Sequence, residues 1–309
     1  MIKADIVNGL LNWLEDHLDL PLLLEDVAAK SGYSKWYLQR MFRDVTGQKL
    51  GAYIRARRLS RAALALRASS HSILDIALLY HFDSQQTFTR TFKKQFGLTP
   101  AVYRHAACWS AKGLCPPIRL GETQLPQPKF INIPDMPLMG VTRIYHSSFE
   151  RIERLFHSDL RAHFWRQYLD GANIIPPVLY GLHRLEPGNT IDNDRDIILN
   201  YTIAIQLGTF SQSMPMARPV MLEGGDYAQF NYEGHVEEFQ NFIQLIYDTM
   251  VPLLGLTRRQ GLDIERFHPR NDEELFSSDF LRCDYLIPIV KRPAVNLSRI
   301  AGGNPPVQA

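Results

Sequence analysis

The sequence predicts a two-domain protein with an all-α first half and an α+β second half. Residues 28–43 and 78–93 match in their order of apolar and basic side chains, fifty positions apart, which indicates two equivalent helical units. After a stretch rich in proline and glycine, strands and helices alternate in a pattern that recurs after about 85 residues. We therefore expect two helix-turn-helix units joined by a linker helix, then a duplicated strand-helix-strand-strand module.

Composition narrows the class of protein. A chain of 309 residues with 45% hydrophobic and 21% charged residues can form about two domains with buried cores. No apolar run approaches the ~18 residues that cross a bilayer, and acids interrupt the N-terminal segment where a signal peptide is apolar. We expect a cytoplasmic protein with no membrane partner. Cys108, Cys115 and Cys283 lack metal-ligand spacing, and we interpret them as incidental.

The net charge of +2 is the sum of two opposite halves. Residues 1–125 contain 17 Lys and Arg against 10 Asp and Glu, a net charge of +7, whereas residues 126–309 contain 17 against 22, a net charge of −5. The basic half is the candidate for nucleic-acid binding. Because attraction to phosphate is independent of sequence, specificity has to come from the arrangement of side chains.

An amphipathic packing helix opens the chain, with an apolar residue at every fourth position. These residues are Ile6, Leu10, Leu14 and Leu18. Pro21 ends this segment, and a short helix around Val27 follows. Gly32 then allows a tight turn, and Ser34 is placed to cap the next helix. These signals predict the first helix-turn-helix unit.

The next helix, from Lys35 to about Thr46, has an apolar face and an unusual polar face. Its polar face consists of Trp36, Gln39, Arg40 and Arg43. A solvated face usually carries Glu and Lys, whereas indole, amide and guanidinium groups stack on or hydrogen-bond to base edges and phosphates. Arg40 alone would fit an ordinary surface charge, and Trp36 alone a half-buried core residue. Their combination after a helix, a glycine turn and a serine cap predicts a DNA-reading helix.

The second unit repeats this arrangement with different residues. A supporting helix at residues 73–80 and a turn at 81–83 precede the cap Ser84. Phe88, Phe92 and Phe96 form the core stripe of the helix after it. The outward residues are Gln85, Gln86, Thr87, Arg90 and Lys93. Gln and Arg can read bases and can equally hold phosphates, so this helix is predicted to contact DNA, with both modes open.

Between the units, residues 50–68 are rich in Ala, Leu and Arg and contain no proline, which predicts one continuous helix. Its length would be about 28 Å at ~1.5 Å per residue. Successive major grooves on one face of DNA lie about 34 Å apart. One chain can therefore read an asymmetric site as a monomer, and any mismatch in spacing would appear as DNA bending or as loose engagement of one unit.

Two segments of this half carry a family resemblance. GYSKWYLQRMFRDVTG, with Gly32, Ser34 and Arg40, and FDSQQTFTRTFKKQF, followed by Pro100 and Tyr103, resemble the AraC/XylS transcription regulators, in particular the MarA/SoxS/Rob branch. The resemblance implies a nucleoid-associated activator of stress and multidrug-resistance promoters that works through RNA polymerase. It also implies that the DNA contacts lie in the two recognition helices described above.

The chain divides, by composition, into four parts. We predict a DNA-binding domain at residues 1–108, a linker at 109–128, an effector-binding domain at 129–290 and a disordered tail at 291–309. Strands are predicted at 130–146, 176–184, 196–206, 220–234, near Ile264 and at 280–290, with helices at 149–169 and from Val236 to about Leu254.

The second half resembles the GyrI-like effector-binding domains. The matching segments are GGDYAQFNYEG at residues 224–234 and the terminal strand with Tyr285 and Pro288. The resemblance implies a cleft that binds hydrophobic, often cationic, small molecules between aromatic walls and beside an acid. Asp284 occupies the position of this acid, where the longer Glu is usual in the family. Alternation places Asp284 opposite Cys283 and Tyr285, and leaves open which side faces the cleft.

Aromatic residues of this half can supply the cleft walls, although each also fits a core role. The candidates are Trp165, Tyr168, Tyr180, Tyr201, Phe230 and Tyr232. Glu223 is a second acid, but it precedes a Gly-Gly turn and fits a solvated position. His157 and His163 are six apart and do not share a helix face, so no metal site is expected, and no glycine loop for phosphate is present.

The leading hypothesis is a monomeric DNA-binding activator that responds to an amphipathic ligand such as a bile acid, fatty acid or drug, a ligand class implied by the resemblance. It requires no cofactor and no catalysis. The alternative is a small-molecule hydrolase or drug-sequestering module fused to a DNA-binding domain, but no nucleophile-base pair is legible. Methylation repair is set aside because Cys115 lies in a Leu-Cys-Pro-Pro context. Whether the acidic half covers the basic half stays open.

Overall fold

The computed structural model describes residues 2–121, 125–147, 176–188, 197–208, 216–269 and 280–290. The first half is helical. Its helices are α1 (Ile2–Glu15), α2 (Leu24–Ser31), α3 (Lys35–Thr46), α4 (Leu50–Ala68), α5 (Ile73–Leu79), α6 (Gln85–Phe96) and α7 (Pro100–His105). The predicted positions of α3, α4 and α6 are confirmed, and α3 and α6 begin and end fifty residues apart.

The two recognition helices are delimited in the same way. Ser34 and Ser84 are N-caps whose side chains accept hydrogen bonds from the backbone N–H of residues 37 and 87. Gly47 and Gly97 end the helices with φ of 73° and 77°, a left-handed conformation that glycine adopts without strain. The N-caps predicted at Ser34 and Ser84 are therefore confirmed.

Helix α4 is shared between two hydrophobic cores. Leu50, Tyr53 and Ile54 pack with α1, α2 and α3, whereas Leu59, Leu66 and several alanines between them pack with α5, α6 and α7. We call these the first and second units. Because one continuous helix contributes to both cores, the units are held at a fixed distance.

In the described residues, the second half contains an eight-stranded antiparallel sheet, and a two-stranded sheet joins it to the connecting segment. Its strands are β1 (Trp109–Ser110), β2 (Lys129–Ile133), β3 (Met136–Ser147), β4 (Leu179–Pro187), β5 (Ile197–Gln206), β6 (Arg218–Leu222), β7 (Gly225–His235), β8 (Thr257–Arg258), β9 (Asp263–Phe267) and β10 (Phe280–Pro288). The predicted strand at 130–146 is divided, because Pro134 and Asp135 separate β2 from β3. Glu223 and Gly224 likewise separate β6 from β7.

The duplicated module predicted from the sequence is visible in the strand order β2-β7-β10-β9-β4-β5-β3-β6. Strand β5 lies between β3 and β4, and β10 lies between β7 and β9 in the same way. Strands β4 and β9 join the two modules at the centre. The predicted helix at 149–169 and the tail at 291–309 lie outside the described residues. The predicted fold class, a helical domain followed by a duplicated α+β domain, is confirmed.

The helix of the second module is not uniform. It begins as a 3₁₀ turn (Val236–Glu238), continues as α8 (Phe239–Leu245), widens into a π-helical turn (Ile246–Met250) and ends in a short turn (Val251–Leu253). Phe239, Ile243 and Met250 pack on the sheet beside Phe230 and Tyr285. This defines an inner, helix-covered face of the sheet and an outer face.

Residues 109–121 connect the halves and pack against both. Strand β1 pairs with β8, and Ala111 joins the inner-face core. Trp109 packs in the second unit, and Ile118 and Leu120 pack against the first. The segment that the sequence marks as a linker is therefore anchored at several points over its described length.

Candidate DNA interface and ligand site

The outward face of α3 presents the four side chains predicted to read DNA. Trp36, Gln39, Arg40 and Arg43 are all exposed, and Trp36 retains 68% of its surface. The Arg40 guanidinium lies 5.4 Å from the centroid of the Trp36 ring and its Nε lies 3.9 Å from Asp44 Oδ2. These contacts hold the guanidinium in an oriented position, which lowers the entropy that a bidentate contact with guanine would cost.

The outward face of α6 differs. Gln85, Gln86, Arg90 and Lys93 are exposed, but Thr87 is half-buried. Ser84 Oγ donates a hydrogen bond to the Thr87 hydroxyl oxygen at 3.1 Å, and the Thr87 backbone N–H donates to Ser84 Oγ at 3.2 Å. Thr87 thus belongs to the N-cap of the helix.

Charge also distinguishes the two helices. Helix α3 carries Asp44 among its basic residues, whereas α6 carries Arg90, Lys93 and Lys94 and no acid. A uniformly basic face suits contacts with phosphate, and a stacked, oriented arginine suits a base edge. The geometry is consistent with base reading by α3 and anchoring by α6.

A set of hydrogen bonds fixes the two units relative to each other. Arg58 of α4 donates from Nε to the Leu18 carbonyl at 2.9 Å and from Nη2 to the Leu20 carbonyl at 2.6 Å. His81, in the turn of the second unit, contacts the Asp19 carbonyl through Nε2 at 2.7 Å. The loop after α1 is therefore held by both α4 and the second unit, and no local pattern of residues predicts these contacts of Arg58 and His81, which we call the clasp.

The ligand candidates in the second half do not share one face. Tyr201 and Phe230 pack in the inner-face core, with Tyr232 against it, whereas Tyr180 packs in the outer-face cluster and Asp284 also points outward. Trp165 and Tyr168 lie outside the described residues. A single cleft cannot include both described sets.

Asp284 is engaged by neighbouring polar groups of the outer face. Its Oδ2 lies 3.2 Å from Arg266 Nη2 and 3.0 Å from His268 Nε2, and Asn231 donates to Oδ1. Burial raises the pKa of Asp284, but the hydrogen bond from His268 and the charge of Arg266 outweigh this and leave the pKa below its ordinary value. The carboxylate is already satisfied by the protein.

A buried acid lies on the inner face. Glu265 of β9 has no exposed surface, accepts a hydrogen bond from the Tyr201 hydroxyl at 2.5 Å and lies 3.7 Å from His183 Nε2. Gly181, opposite it on β4, leaves the necessary space, because a Cβ there would lie 2.6 Å from both the Glu265 and Tyr201 oxygens. Burying an acid is costly, and such groups concentrate at binding sites.

Asp263, two residues before Glu265 on the same face, is held by the protein. The Tyr285 hydroxyl donates to its Oδ2 at 2.8 Å, Tyr247 donates to the same oxygen, and Arg258 Nη2 lies 2.8 Å from its Oδ1. Burial raises the pKa of Asp263, but the charge of Arg258 outweighs burial and lowers it overall.

Sequence reasoning missed Glu265 and His183. A signal was present, since Asp263, Glu265 and Phe267 alternate with Ile264 and Arg266, so two acids share a face with a large apolar residue. The two acids on one face of a strand would have indicated Glu265.

Two family models match different parts of the chain. Residues 27–106 match a helix-turn-helix domain family, and residues 126–290 match the GyrI-like small molecule binding domain. The chain is 52% identical to the right origin-binding protein of Escherichia coli K12 over 290 residues, which is 94% of this chain and 99% of that protein. It is 51% identical to the transcriptional regulator Rob of Salmonella typhimurium over the same shares of both chains.

The helical half has a shorter relative. It is 56% identical over 105 residues to the regulatory protein SoxS of Escherichia coli K12, which is 34% of this chain and 98% of that protein. In the described part of the chain, no helix has the length and apolar character that crossing a membrane requires.

Proposed function

We propose that this chain, which belongs to the Rob-like branch of the AraC family of transcriptional regulators, binds one asymmetric DNA site as a monomer. It is a transcriptional activator with a helix-turn-helix DNA-binding domain and a GyrI-like small-molecule-binding domain. Helices α3 and α6 would enter adjacent major grooves, with Arg40 reading bases and Arg90 and Lys93 holding phosphates.

The observation that carries this proposal is the pair of equal, exposed recognition helices fixed by α4 and by the clasp of Arg58 and His81. A rigid pair within one chain supplies the two contacts that other helix-turn-helix proteins obtain by dimerising. The promoters are proposed to be those of stress and multidrug resistance, with RNA polymerase as partner and the cytoplasmic nucleoid as location.

The stoichiometry of the DNA complex tests whether the chain binds DNA as a monomer. A binding site selected by the chain from random DNA is titrated, and the mass of the complex is measured by light scattering. We expect one chain per site of about twenty base pairs, since two adjacent grooves span one helical turn between centres. A complex of two chains per site would refute monomeric binding.

For the second half, we propose that the inner face around Glu265, His183 and Tyr201 binds an amphipathic ligand. The Glu265 carboxylate would accept a hydrogen bond from a ligand hydroxyl or ammonium group, and the surrounding aromatic residues would cover its apolar part. The candidate ligands are a bile acid, a fatty acid or a drug. No catalytic step is part of the proposal, because the relatives are transcriptional regulators.

Replacing Glu265 by glutamine tests the ligand site. A hydrogen bond to a charged group contributes about 1.5–3 kcal/mol, so we expect ligand affinity to fall roughly 10-fold to 150-fold. The measurement is isothermal titration calorimetry with deoxycholate, decanoate and tetraphenylphosphonium as bile-acid, fatty-acid and cation probes.

Two further variants make the test specific to this face. Gly181→Ala should weaken the same probe, because its Cβ displaces the Glu265 and Tyr201 oxygens. Asp284→Asn, on the outer face, should leave the affinity within about twofold. Equal losses for Glu265→Gln and Asp284→Asn, or no loss for either, would remove the inner face from ligand binding.

A further inference from the structure

The π-helical turn Ile246–Met250 places two consecutive side chains, Tyr247 and Asp248, against the DNA-binding half. π-helical turns are rare and are frequently found at functional sites. Tyr247 contacts the second unit and Asp248 contacts helix α4. We call these two residues the junction.

Tyr247 connects the ligand face to the second unit. Its hydroxyl donates to Asp263, which lies two residues from Glu265 on the same face of β9. Its ring stacks on Trp109 with the centroids 5.8 Å apart and the planes at 17°. Trp109 Nε1 in turn donates to the hydroxyl of Tyr103.

The contacts continue from Tyr103 to the recognition helix. The Tyr103 ring lies with its centroid 5.3 Å from both Phe92 and Phe96, which form the buried side of α6. Every step from Glu265's strand to α6 is therefore a direct contact between packed or hydrogen-bonded groups.

Asp248 connects the same turn to the first unit. Its Oδ2 lies 3.4 Å from Arg61 Nη1 and 4.0 Å from Arg57 Nη2, and its side chain is only 9% exposed. Arg57 is hydrogen-bonded to Glu15 of α1, and the Tyr53 hydroxyl also binds Glu15. The Tyr53 ring packs on Phe42 of α3, with the ring centroids 5.7 Å apart. One helical turn thus touches the supports of both recognition helices.

We propose that Tyr247 and Asp248 are positioning residues that transmit ligand occupancy at Glu265 to the relative placement of α3 and α6. The inference rests on the proposed ligand site. A ligand that displaces the strand carrying Asp263 and Glu265 moves Tyr247, and because Asp248 is the next residue, its ion pair with Arg61 moves as well. Helix α4 keeps the distance between the units, while the orientations of α3 and α6 on their supports shift, which changes the affinity for a two-groove site.

The test measures coupling in the full chain. DNA affinity is determined by fluorescence anisotropy with and without deoxycholate below its micelle-forming concentration, and the ratio of the two dissociation constants is the coupling factor. We expect a factor of about five or more for the wild type, within the range typical of allosteric proteins. Tyr247→Phe and Asp248→Asn should both bring it below about two, with deoxycholate affinity in the absence of DNA within about twofold of wild type.

Controls separate coupling from simple docking of the domains. Tyr227→Phe removes a hydroxyl bonded to the Glu223 carbonyl on the outer face and should leave the coupling factor unchanged. A purely structural junction would lower the melting temperature of the junction variants and keep the wild-type coupling factor, which would overturn the proposal.

Failure of the ligand site gives a different result. If deoxycholate does not bind the wild type in calorimetry, the ligand proposal fails for this probe, and Glu265→Gln then serves as the perturbation of the site. Its effect on DNA affinity should disappear in the Tyr247→Phe background. An effect of equal size in both backgrounds would overturn the junction.

Discussion

Replacing Arg57 by alanine is expected to lower the free energy of unfolding by about 3–5 kcal/mol, because it leaves the largely buried Glu15 carboxylate without its charged partner. Arg57 is 1% exposed and binds Glu15 through Nε at 2.9 Å and Nη2 at 2.7 Å. Its Nη1 also donates to the Cys115 carbonyl. The loss would be measured by guanidinium denaturation of the full chain.

Two matched variants define the cause. Arg55→Ala removes an exposed arginine from the same helix and should change the free energy of unfolding by less than about 0.5 kcal/mol. The double variant Glu15→Leu/Arg57→Met removes both charges and should regain most of the stability. A double variant as unstable as Arg57→Ala would show that lost packing, not the unpaired charge, is responsible.

The Glu15–Arg57 pair also makes the free energy of unfolding depend on pH, in a direction that the pKa of Glu15 determines. Burial raises the pKa of Glu15, but the hydrogen bonds and charge of Arg57 outweigh it and leave the pKa lower than usual. The pair therefore stabilises the fold above the unfolded-state pKa of Glu15, and this contribution is lost as the pH falls through the lowered one. The stability difference between wild type and Arg57→Ala should accordingly shrink in acid.

Arg40→Ala is expected to weaken binding to the selected site by roughly 5-fold to 150-fold, the value of about 1–3 kcal/mol for a good base contact. Discrimination against unrelated DNA should fall with it. Arg90→Ala should cause a smaller loss that is similar for all sequences, and should reduce the salt dependence by about one phosphate contact. Gel-shift titrations at two salt concentrations measure both effects.

The control for these variants is Lys112→Ala, which removes an exposed positive charge outside both recognition helices. It should leave site discrimination intact. Should Arg40→Ala bind the selected site as tightly as wild type, α3 would have no role in recognition.

Local signals were sufficient to predict the DNA-binding half. Ser34, Ser84, Gly47 and Gly97 determine helix ends through backbone conformation and capping, which depend on few residues. The apolar spacing of Phe88, Phe92 and Phe96 fixes which face of α6 is buried. These features do not require knowledge of distant contacts.

The missed features depend on distant contacts. Arg58 and His81 meet the loop after α1 only in the folded chain, at sequence separations of 38 to 62 residues. The inner position of Glu265 depends on which face of the sheet the helix covers, and alternation alone does not decide that. Nothing in the helical periodicity of residues 236–253 marks the π-helical turn at Ile246–Met250 either.

The most direct test of the central claim, that one chain reads two adjacent grooves through a rigid pair of helices, changes the spacing of the DNA site. Five base pairs, about half a helical turn, are inserted between the halves of the selected site, and the affinity is measured by gel shift. We predict at least about a tenfold loss, with Arg90→Ala having little further effect on the altered site. Equal affinity for the original and the altered site would contradict the claim.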